Sequence, residues 1–300
     1  MSASEFKPSV VEPGYTGRFA PSPTGPLHIG SLVAAMASYL DARSSQGRWY
    51  LRIEDLDPPR EIPGSADAII FSLERLGFEW DGPVTYQSHR HAFYEDAVES
   101  LISDKVAYSC KCSRKDIAEQ QSGNPALLRY PGNCRNIALS PAKNLAIRAL
   151  TEAADINFSD RLVGAWSQNI EAEVGDFVIR RKDGFYAYQL AVVIDDAEQK
   201  ITHVVRGEDL LDSTPRQIHL QKLLDLPTPV YAHTPLVLDE NGNKFSKSSN
   251  RGRPLKTDLE TLLRAWHFLR QTPTSVEEFD TMADFWQWAF QHWNINKLVK

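Results

Sequence analysis

Two short stretches of the chain combine residue types that suit the binding of phosphate groups. The first runs from Ala20 to Ser31 and reads APSPTGPLHIGS, so a loop fixed by proline and glycine leads into a helical pattern that opens at Gly30. A helix that starts after such a loop presents free backbone N–H groups and the positive end of its dipole, and His28 adds a donor at that end. The pattern predicts a phosphate site, although an isolated histidine is more often structural.

The second stretch is Lys244 to Ser248, which reads KFSKS, within a run from Gly242 to Lys256 that holds five cations and no acidic residue. Two lysines beside small hydroxyl residues can close over a triphosphate and neutralise the charge that develops during phosphoryl transfer. Taken alone, the run fits an ordinary solvated basic loop equally well.

The three cysteines of the chain are an odd number and lie within 25 residues of one another. They occur as Cys110-x-Cys112 and, four residues after Tyr130, as Cys134. Three thiolates form a soft ligand set suited to Zn²⁺, which takes four ligands when structural; the fourth is not an obvious Cys or His, and Tyr130 is the candidate. Free thiols are the alternative, and both are favoured over a disulfide because the chain carries no export signal.

The elements that must position these residues indicate an α/β fold. A short strand is predicted at Thr16 to Ala20, a helix from Gly30 to Arg43, and a second strand at Trp49 to Asp55, where apolar and polar side chains alternate. This order predicts a Rossmann-like, doubly wound parallel sheet, in which ligands gather at the carboxyl ends of the strands. Arg18 and Glu54 lie near such ends.

The rest of the chain divides into segments of different character. Further helices are expected at about 64–77 and 90–104, and further strands at 176–181 and 201–206. We predict five segments: a flexible leader at 1–14, the first half of the catalytic domain at 15–104, an inserted module at 105–175, the second half with the basic loop at 176–250, and a short helical C-terminal part at 251–300. The aromatic run at 285–293 is interpreted as core contacts rather than as a platform for stacking bases.

Composition narrows the class of protein. A chain of 300 residues with 42% apolar content can bury a substantial core, and a net charge of −6 argues against a protein that binds nucleic acid by its overall charge. The N-terminus lacks the basic and apolar regions of a signal peptide, and no apolar run is long enough to cross a bilayer. We therefore expect a cytoplasmic protein without a membrane partner, and a monomer.

The two phosphate-binding stretches stand more than 200 residues apart and resemble the HIGH and KMSKS signatures of class I aminoacyl-tRNA synthetases. Three further segments resemble the glutamyl branch of that family: GRFAPSPTG at 17–25, LRIEDLDPPR at 51–60 and VRGEDL at 205–210. The likeness covers roughly residues 15–250. Ser31 and Phe245 depart from the signatures, which have His and Met there. We expect altered detail rather than lost activity.

This resemblance implies an enzyme that activates L-glutamate with ATP as an acyl-adenylate and passes it to a tRNA. It implies a glutamate pocket in which cations meet the carboxylates and Glu54 receives the ammonium; the residues are Arg18, Ala20, Ser22, Glu54, Tyr188 and Arg206. It also implies a nucleotide site in which Mg²⁺ accompanies ATP; the residues are Pro21, Thr24, Gly25, His28, Gly30, Ser31, Lys244, Ser246 and Lys247. His28 and Lys247 are the expected catalytic residues.

The C-terminal part points to one group within the branch. Only about 52 residues follow Ser248, too few for a typical second domain, so no anticodon-binding domain is expected. Truncated paralogues of glutamyl-tRNA synthetase share the DPPR sequence at 57–60 and have a Cys₃Tyr zinc site similar to the set Cys110, Cys112, Tyr130 and Cys134. The resemblance implies one structural Zn²⁺ in an acceptor-binding insertion. It further implies that glutamate, activated without tRNA, is transferred to the queuosine base at the wobble position of tRNA(Asp).

Three other functions stay open on sequence grounds. A fragment of an ordinary glutamyl-tRNA synthetase would charge the 3′ end of tRNA(Glu), a silent paralogue would bind RNA without chemistry, and a HIGH-type nucleotidyltransferase would make a small metabolite. The intact set of His28, Lys247, Arg18 and Glu54 weighs against the silent paralogue. The glutamate pocket and the cysteine module weigh against the small-metabolite enzyme.

Overall fold

The structure is a computed structural model, and it describes residues 14–120, 129–137, 139–140, 142, 144–237 and 255–299. The strands are β1 (Thr16–Phe19), β2 (Arg48–Ile53), β3 (Thr85–Tyr86), β4 (Ala107–Cys110), β5 (Ala146–Ala149), β6 (Asp155–Asp160), β7 (Gly164–Asn169), β8 (Phe177–Arg180), β9 (His203–Gly207) and β10 (Val230–Thr234). The helices are α1 (Ile29–Ser44), α2 (Ser65–Arg75), α3 (His91–Ser103), α4 (Arg114–Gln120), α5 (Ile170–Glu173), α6 (Tyr188–Glu198), α7 (Thr214–Leu223), α8 (Leu259–Phe268) and α9 (Met282–His292).

Two groups of parallel strands, β1-β2-β3 and β9-β10, lie side by side and together form the parallel sheet that carries the functional site. β1 pairs with β2, β2 with β3, and β9 with β10, all in parallel register. The amide of Thr202 donates to the carbonyl oxygen of Thr16 at 2.9 Å, so β9 lies beside β1. The strand order is therefore β3-β2-β1-β9-β10, with all carboxyl ends at one edge. The Rossmann-like parallel sheet predicted from the sequence is confirmed.

The helix α1 lies against β1 and β2 and is buried along most of its length; its fully buried side chains include Leu32, Ala35, Met36 and Leu40. A tight turn at Gly47 then leads into β2. A Cβ atom on Gly47 would lie 2.4 Å from the carbonyl oxygen of Tyr15, a distance that no side chain tolerates, so the turn requires glycine. This turn fixes the start of β2 and hence the place of Glu54 just after its end.

Antiparallel strands form the part that carries the cysteines. β5 pairs with β4 on one side and β8 on the other, and β6 forms a hairpin with β7. The strand predicted at 176–181 is thus present as β8, but it continues the antiparallel sheet instead of joining the parallel one. The division of the chain into the five segments given above stays a prediction.

The helices α8 and α9 close the fold with an aromatic cluster. Trp286 is 5% exposed, its ring lies 5.0 Å from that of Tyr39 and 4.8 Å from that of Phe78, and its indole N–H donates to the carbonyl of Leu76 at 2.8 Å. Phe285 is fully buried. The prediction that these aromatic residues are core contacts is confirmed, and through Tyr39 they pack the back of α1.

Membrane crossing needs about 20 consecutive apolar residues in a helix. Among the residues that the structure describes, no helix meets the requirement for length and apolar character.

Candidate active site

A cavity of about 1610 Å³ opens at the carboxyl edge of the parallel sheet. Arg18 lies in β1, Glu54 directly follows β2 and Arg206 lies in β9, so neighbouring strands bring their polar side chains to this edge. All predicted glutamate and nucleotide residues that the structure describes line the cavity; they are Arg18, Ala20, Pro21, Ser22, Thr24, Gly25, His28, Gly30, Ser31, Glu54, Tyr188 and Arg206. The predicted Lys244, Ser246 and Lys247 lie outside the described residues.

The end of the cavity next to α1 is suited to phosphate groups. His28 is the N-cap residue of α1, and its Nδ1 accepts a hydrogen bond from the backbone amide of Ser31 at 3.3 Å. Its Nε2 lies 2.9 Å from the Ser31 hydroxyl. Gly25 in the preceding loop has a φ of 138°, which glycine adopts readily and other residues rarely do. The positive end of the helix dipole therefore faces the cavity, with the imidazole beside it.

A network of buried charges holds Arg18. Arg18 is 3% exposed, and its Nε lies 3.1 Å from Oδ1 of Asp196. The fully buried Arg52 donates to the same oxygen at 2.7 Å, and its Nε lies 3.8 Å from Asp195, which also pairs with Arg90 at 2.6 Å. Burial raises the pKa of Asp196, but the two guanidinium groups outweigh that effect and hold the pKa below its usual value. Asp196 is therefore ionised and fixes the direction of Arg18.

Glu54 presents a buried carboxylate oxygen whose hydrogen-bonding capacity is unused by the residues that the structure describes. Its side chain is 8% exposed, and its Oε1 lies 3.6 Å from Nη2 of Arg52. Within the described part of the chain, this Oε1 has no hydrogen-bond partner. Burial raises the pKa of Glu54 to about 7, although Arg52 and Arg18 act in the opposite direction. Because a buried acceptor without a donor is costly, the oxygen is well placed for a cationic group of a ligand.

Arg206 differs from Arg18 in that its partners are neutral. It is 5% exposed and donates to the Tyr188 hydroxyl at 3.4 Å and to the Thr214 hydroxyl at 2.8 Å. Its Nε donates to Nε2 of His233 at 3.1 Å. Over the ranges that the structure describes, no carboxylate lies within ion-pair distance of Arg206. Its positive charge is therefore available to an anion in the cavity.

The cysteine module brings four predicted ligands together. The three Sγ atoms of Cys110, Cys112 and Cys134 all lie within 4.8 Å of one another, and those of Cys112 and Cys134 are 3.6 Å apart. The Tyr130 hydroxyl lies 3.3 Å from Sγ of Cys110 and 3.8 Å from Sγ of Cys112. Around a tetrahedral Zn²⁺ with bonds of about 2.0 to 2.3 Å, ligand atoms are about 3.5 to 3.8 Å apart, so this donor set fits the ion.

Sequence reasoning missed the residues that lie behind the pocket. Asp195 and Asp196 are two adjacent acids in α6, whose other inward residues are apolar, and such acids need a buried cationic partner. That pattern could have revealed them. Arg52 falls on the polar face in the alternation of β2, which favours exposure, yet it is fully buried. His233 gave no signal in the sequence.

The sheet, the loop and the helix end form an arrangement that suits the binding of phosphate groups beside a small charged molecule. The family model for tRNA synthetases of class I (E and Q), catalytic domain, matches residues 15–275, so the chain belongs to this family and is a ligase of the glutamyl-tRNA synthetase type. The predicted resemblance to the glutamyl branch is confirmed.

Two relatives and one solved structure show which members of the family the chain resembles. The chain is 52% identical over 288 residues to the glutamyl-Q tRNA(Asp) synthetase of Ectopseudomonas mendocina, and the matched region covers 95% of each chain. It is 50% identical over 289 residues to the protein of the same name from Neisseria meningitidis, which covers 95% of this chain and 98% of the other. The crystal structure of a glutamate tRNA ligase from Elizabethkingia meningosepticum in complex with its amino acid is 28% identical, with a TM-score of 0.78. The chain spans 66% of the length of that structure, with 96% of its own residues matched.

Proposed function

We propose that the chain activates glutamate with ATP in the absence of tRNA and then transfers it to the queuosine base at the wobble position of tRNA(Asp). The observation that carries the first half is the cavity at the sheet edge, which Arg18, Arg206, Glu54 and the His28 end of α1 all line. The name shared by the relatives at 50 to 52% identity supports the second half.

The charges around the cavity suit a dicarboxylic amino acid. In the network behind the pocket, the arginines at 18, 52 and 90 balance the three carboxylates of Asp195, Asp196 and ionised Glu54. Arg206 adds one positive charge with no carboxylate partner among the described residues. Glutamate carries one net negative charge, and its ammonium can pair with Glu54. Binding therefore leaves no buried charge unpaired, which a neutral amino acid would not achieve.

In the first step, an oxygen of the glutamate α-carboxylate attacks the α-phosphorus of ATP. A new oxygen–phosphorus bond forms, the bond to the bridging oxygen breaks, and pyrophosphate leaves. No protein nucleophile is required, so the chain acts by positioning and by electrostatic stabilisation. His28 and the N-terminus of α1 bind phosphate oxygens, and Lys247 adds a cation to them. Mg²⁺ that accompanies ATP would neutralise further phosphate charge.

In the second step, a hydroxyl of the cyclopentene-diol on queuosine attacks the acyl carbon of glutamyl-adenylate. An ester bond forms, the acyl–phosphate bond breaks, AMP leaves, and the hydroxyl proton is released. We propose that Cys110, Cys112, Tyr130 and Cys134 hold one structural Zn²⁺ that shapes the acceptor side. Cys112 supports this placement because it lines the same cavity as the glutamate residues.

Two measurements test the proposal in order. The first is ATP–pyrophosphate exchange with glutamate and no tRNA, which should be active. His28→Ala should lower the rate, whereas His292→Ala, an exposed residue of α9, should leave it unchanged. No exchange in the wild-type protein would refute glutamate activation without tRNA.

The second measurement is the transfer of labelled glutamate to purified tRNA. We expect transfer to tRNA(Asp) that bears queuosine and none to tRNA(Asp) without it. Transfer to the 3′ end of tRNA(Glu) would overturn the proposed acceptor but would leave glutamate activation intact. Exchange without transfer to either tRNA would indicate a small-molecule acceptor.

A further inference from the structure

Arg206 is backed by a chain of buried polar groups that ends at Asp160. Arg206 in β9 and His233 in β10 are direct partners in the parallel register, so their side chains meet on one face of the sheet. Nε of Arg206 donates to Nε2 of His233 at 3.1 Å, and Nδ1 of His233 lies 2.6 Å from Oδ2 of Asp160 at the end of β6. The side chains of His233 and Asp160 are completely buried.

The hydrogen bonds around Asp160 determine which nitrogen of His233 carries the proton. Oδ1 of Asp160 accepts from the backbone amides of Leu162, Val163 and His233 at 2.9, 3.0 and 3.1 Å. These bonds favour the ionised carboxylate, whose Oδ2 then accepts from Nδ1 of the imidazole. Burial lowers the pKa of His233, so the ring is neutral. Its Nε2 is left as an acceptor, and it lies 3.1 Å both from Nε of Arg206 and from the Thr214 hydroxyl.

We propose that His233, oriented by Asp160, is a positioning residue that directs Arg206 toward the side-chain carboxylate of the amino-acid substrate. This inference rests on the proposed function, because it assigns Arg206 to the glutamate pocket. A long guanidinium side chain has many rotamers. The bond from Nε to His233, together with the bond from Nη2 to the Thr214 hydroxyl at 2.8 Å, holds the guanidinium plane in one orientation. A neutral ring does so without cancelling the charge of Arg206.

Two substitutions of similar size separate positioning from folding. His233→Gln places an amide oxygen near the position of Nε2 and so keeps an acceptor for Arg206, although it gives up the bond to Asp160. His233→Asn keeps a donor near the position of Nδ1 and gives up the acceptor. His219→Asn is the matched control, because His219 is also buried, its Nε2 bonds the Leu150 carbonyl oxygen at 2.6 Å, and it does not line the cavity.

Glutamate-dependent pyrophosphate exchange measures KM and kcat for each variant. We expect His233→Asn to raise the KM for glutamate about 10- to 100-fold, the range for a lost hydrogen bond to a charged group, with the KM for ATP unchanged. His233→Gln should stay within about threefold of wild type, and the control should match wild type. Equal rises in the KM for glutamate and for ATP, or an unchanged KM for glutamate in His233→Asn, would overturn the proposal.

Asp160→Asn provides a second variant in case His233→Asn does not fold. An amide nitrogen at the position of Oδ2 would donate to Nδ1 and force the imidazole proton onto Nε2, where it opposes the Nε–H of Arg206. The KM for glutamate should rise as in His233→Asn, and an unchanged value would contradict the inference. Calorimetric titration of the wild-type protein with glutamate separates the two claims. If the wild-type protein does not bind glutamate, the proposed function and this inference are both refuted. If wild type, His233→Asn and Asp160→Asn bind glutamate equally, only the inference is refuted.

Discussion

The raised pKa of Glu54 predicts that glutamate binds more weakly as the pH falls from 8 to 6. Burial raises this pKa to about 7, and the charges of Arg52 and Arg18 offset the effect only in part. The ionised carboxylate of Glu54 supplies a counter-charge for the substrate ammonium. The protonated carboxyl supplies none. Protonation of Glu54 should therefore compete with binding.

The size of the effect follows from the fraction of Glu54 that is ionised. With a pKa of about 7, that fraction is about 0.9 at pH 8 and about 0.09 at pH 6, so the affinity should fall about tenfold. The γ-carboxyl of glutamate, with a pKa of about 4.3, stays ionised over this range. The same raised pKa lowers the stability of the unliganded fold as the pH rises from about 4.5 to about 7, because the folded state retains a proton that the unfolded state releases.

Calorimetric titration with glutamate at pH 6, 7 and 8, without ATP and at constant ionic strength, measures this dependence. Glu54→Gln should bind at least about 30-fold more weakly, because it leaves a buried ammonium unpaired, and its affinity should not change with pH. Glu99→Gln, an exposed residue of α3, should retain the wild-type profile. Wild-type affinities that agree within twofold at pH 6 and 8 would refute the reasoning, and so would a tenfold fall that persists in Glu54→Gln.

Three further predictions concern the charge network, the metal site and the basic loop. Asp196→Asn should lower the free energy of unfolding by about 3 to 5 kcal/mol in urea denaturation, because it leaves Arg18 and Arg52 buried without their shared carboxylate; a loss below about 1 kcal/mol would contradict the network. Metal analysis after dialysis against a chelator should find about one Zn²⁺ per wild-type chain and less in Tyr130→Phe, and equal retention would remove Tyr130 from the ligand set. Lys247→Ala should lower the kcat of exchange about 100-fold with little change in glutamate affinity, and an unchanged rate would refute its role.

Local patterns in the sequence were sufficient to predict the elements that build the site. The loop after β1 and the helix end at His28 are neighbours in the chain, and alternation in β2 places Glu54 at its end. Since the carboxyl ends of parallel strands meet at one edge, these local assignments also predicted that Arg18 and Glu54 line one cavity, as they do. The cysteine cluster was predictable because three of the four proposed zinc ligands are cysteines in one short stretch of the chain.

The partners of the pocket residues could not be predicted, because they depend on which distant helices and strands become neighbours. Arg18 and Asp196 are 178 residues apart in the chain, and His233 and Asp160 are 73 apart. The first pair joins β1 to the helix α6, and the second exists only once the end of β6 has reached β10. Local periodicity does not determine strand order, and for the same reason it left open that β8 extends the antiparallel sheet.

The two arginines of the proposed glutamate pocket are held by partners of different charge. Asp196 fixes Arg18 and also balances its charge, whereas neutral His233 fixes Arg206 and leaves its charge in place. The negative charge of Asp160 lies beyond the imidazole and is shared among three backbone amides. Glutamine has nearly the shape of glutamate but would leave the guanidinium of Arg206 buried without a counter-charge, which costs several kcal/mol. Charge balance at Arg206, more than the shape of the cavity, is therefore what should exclude the amide.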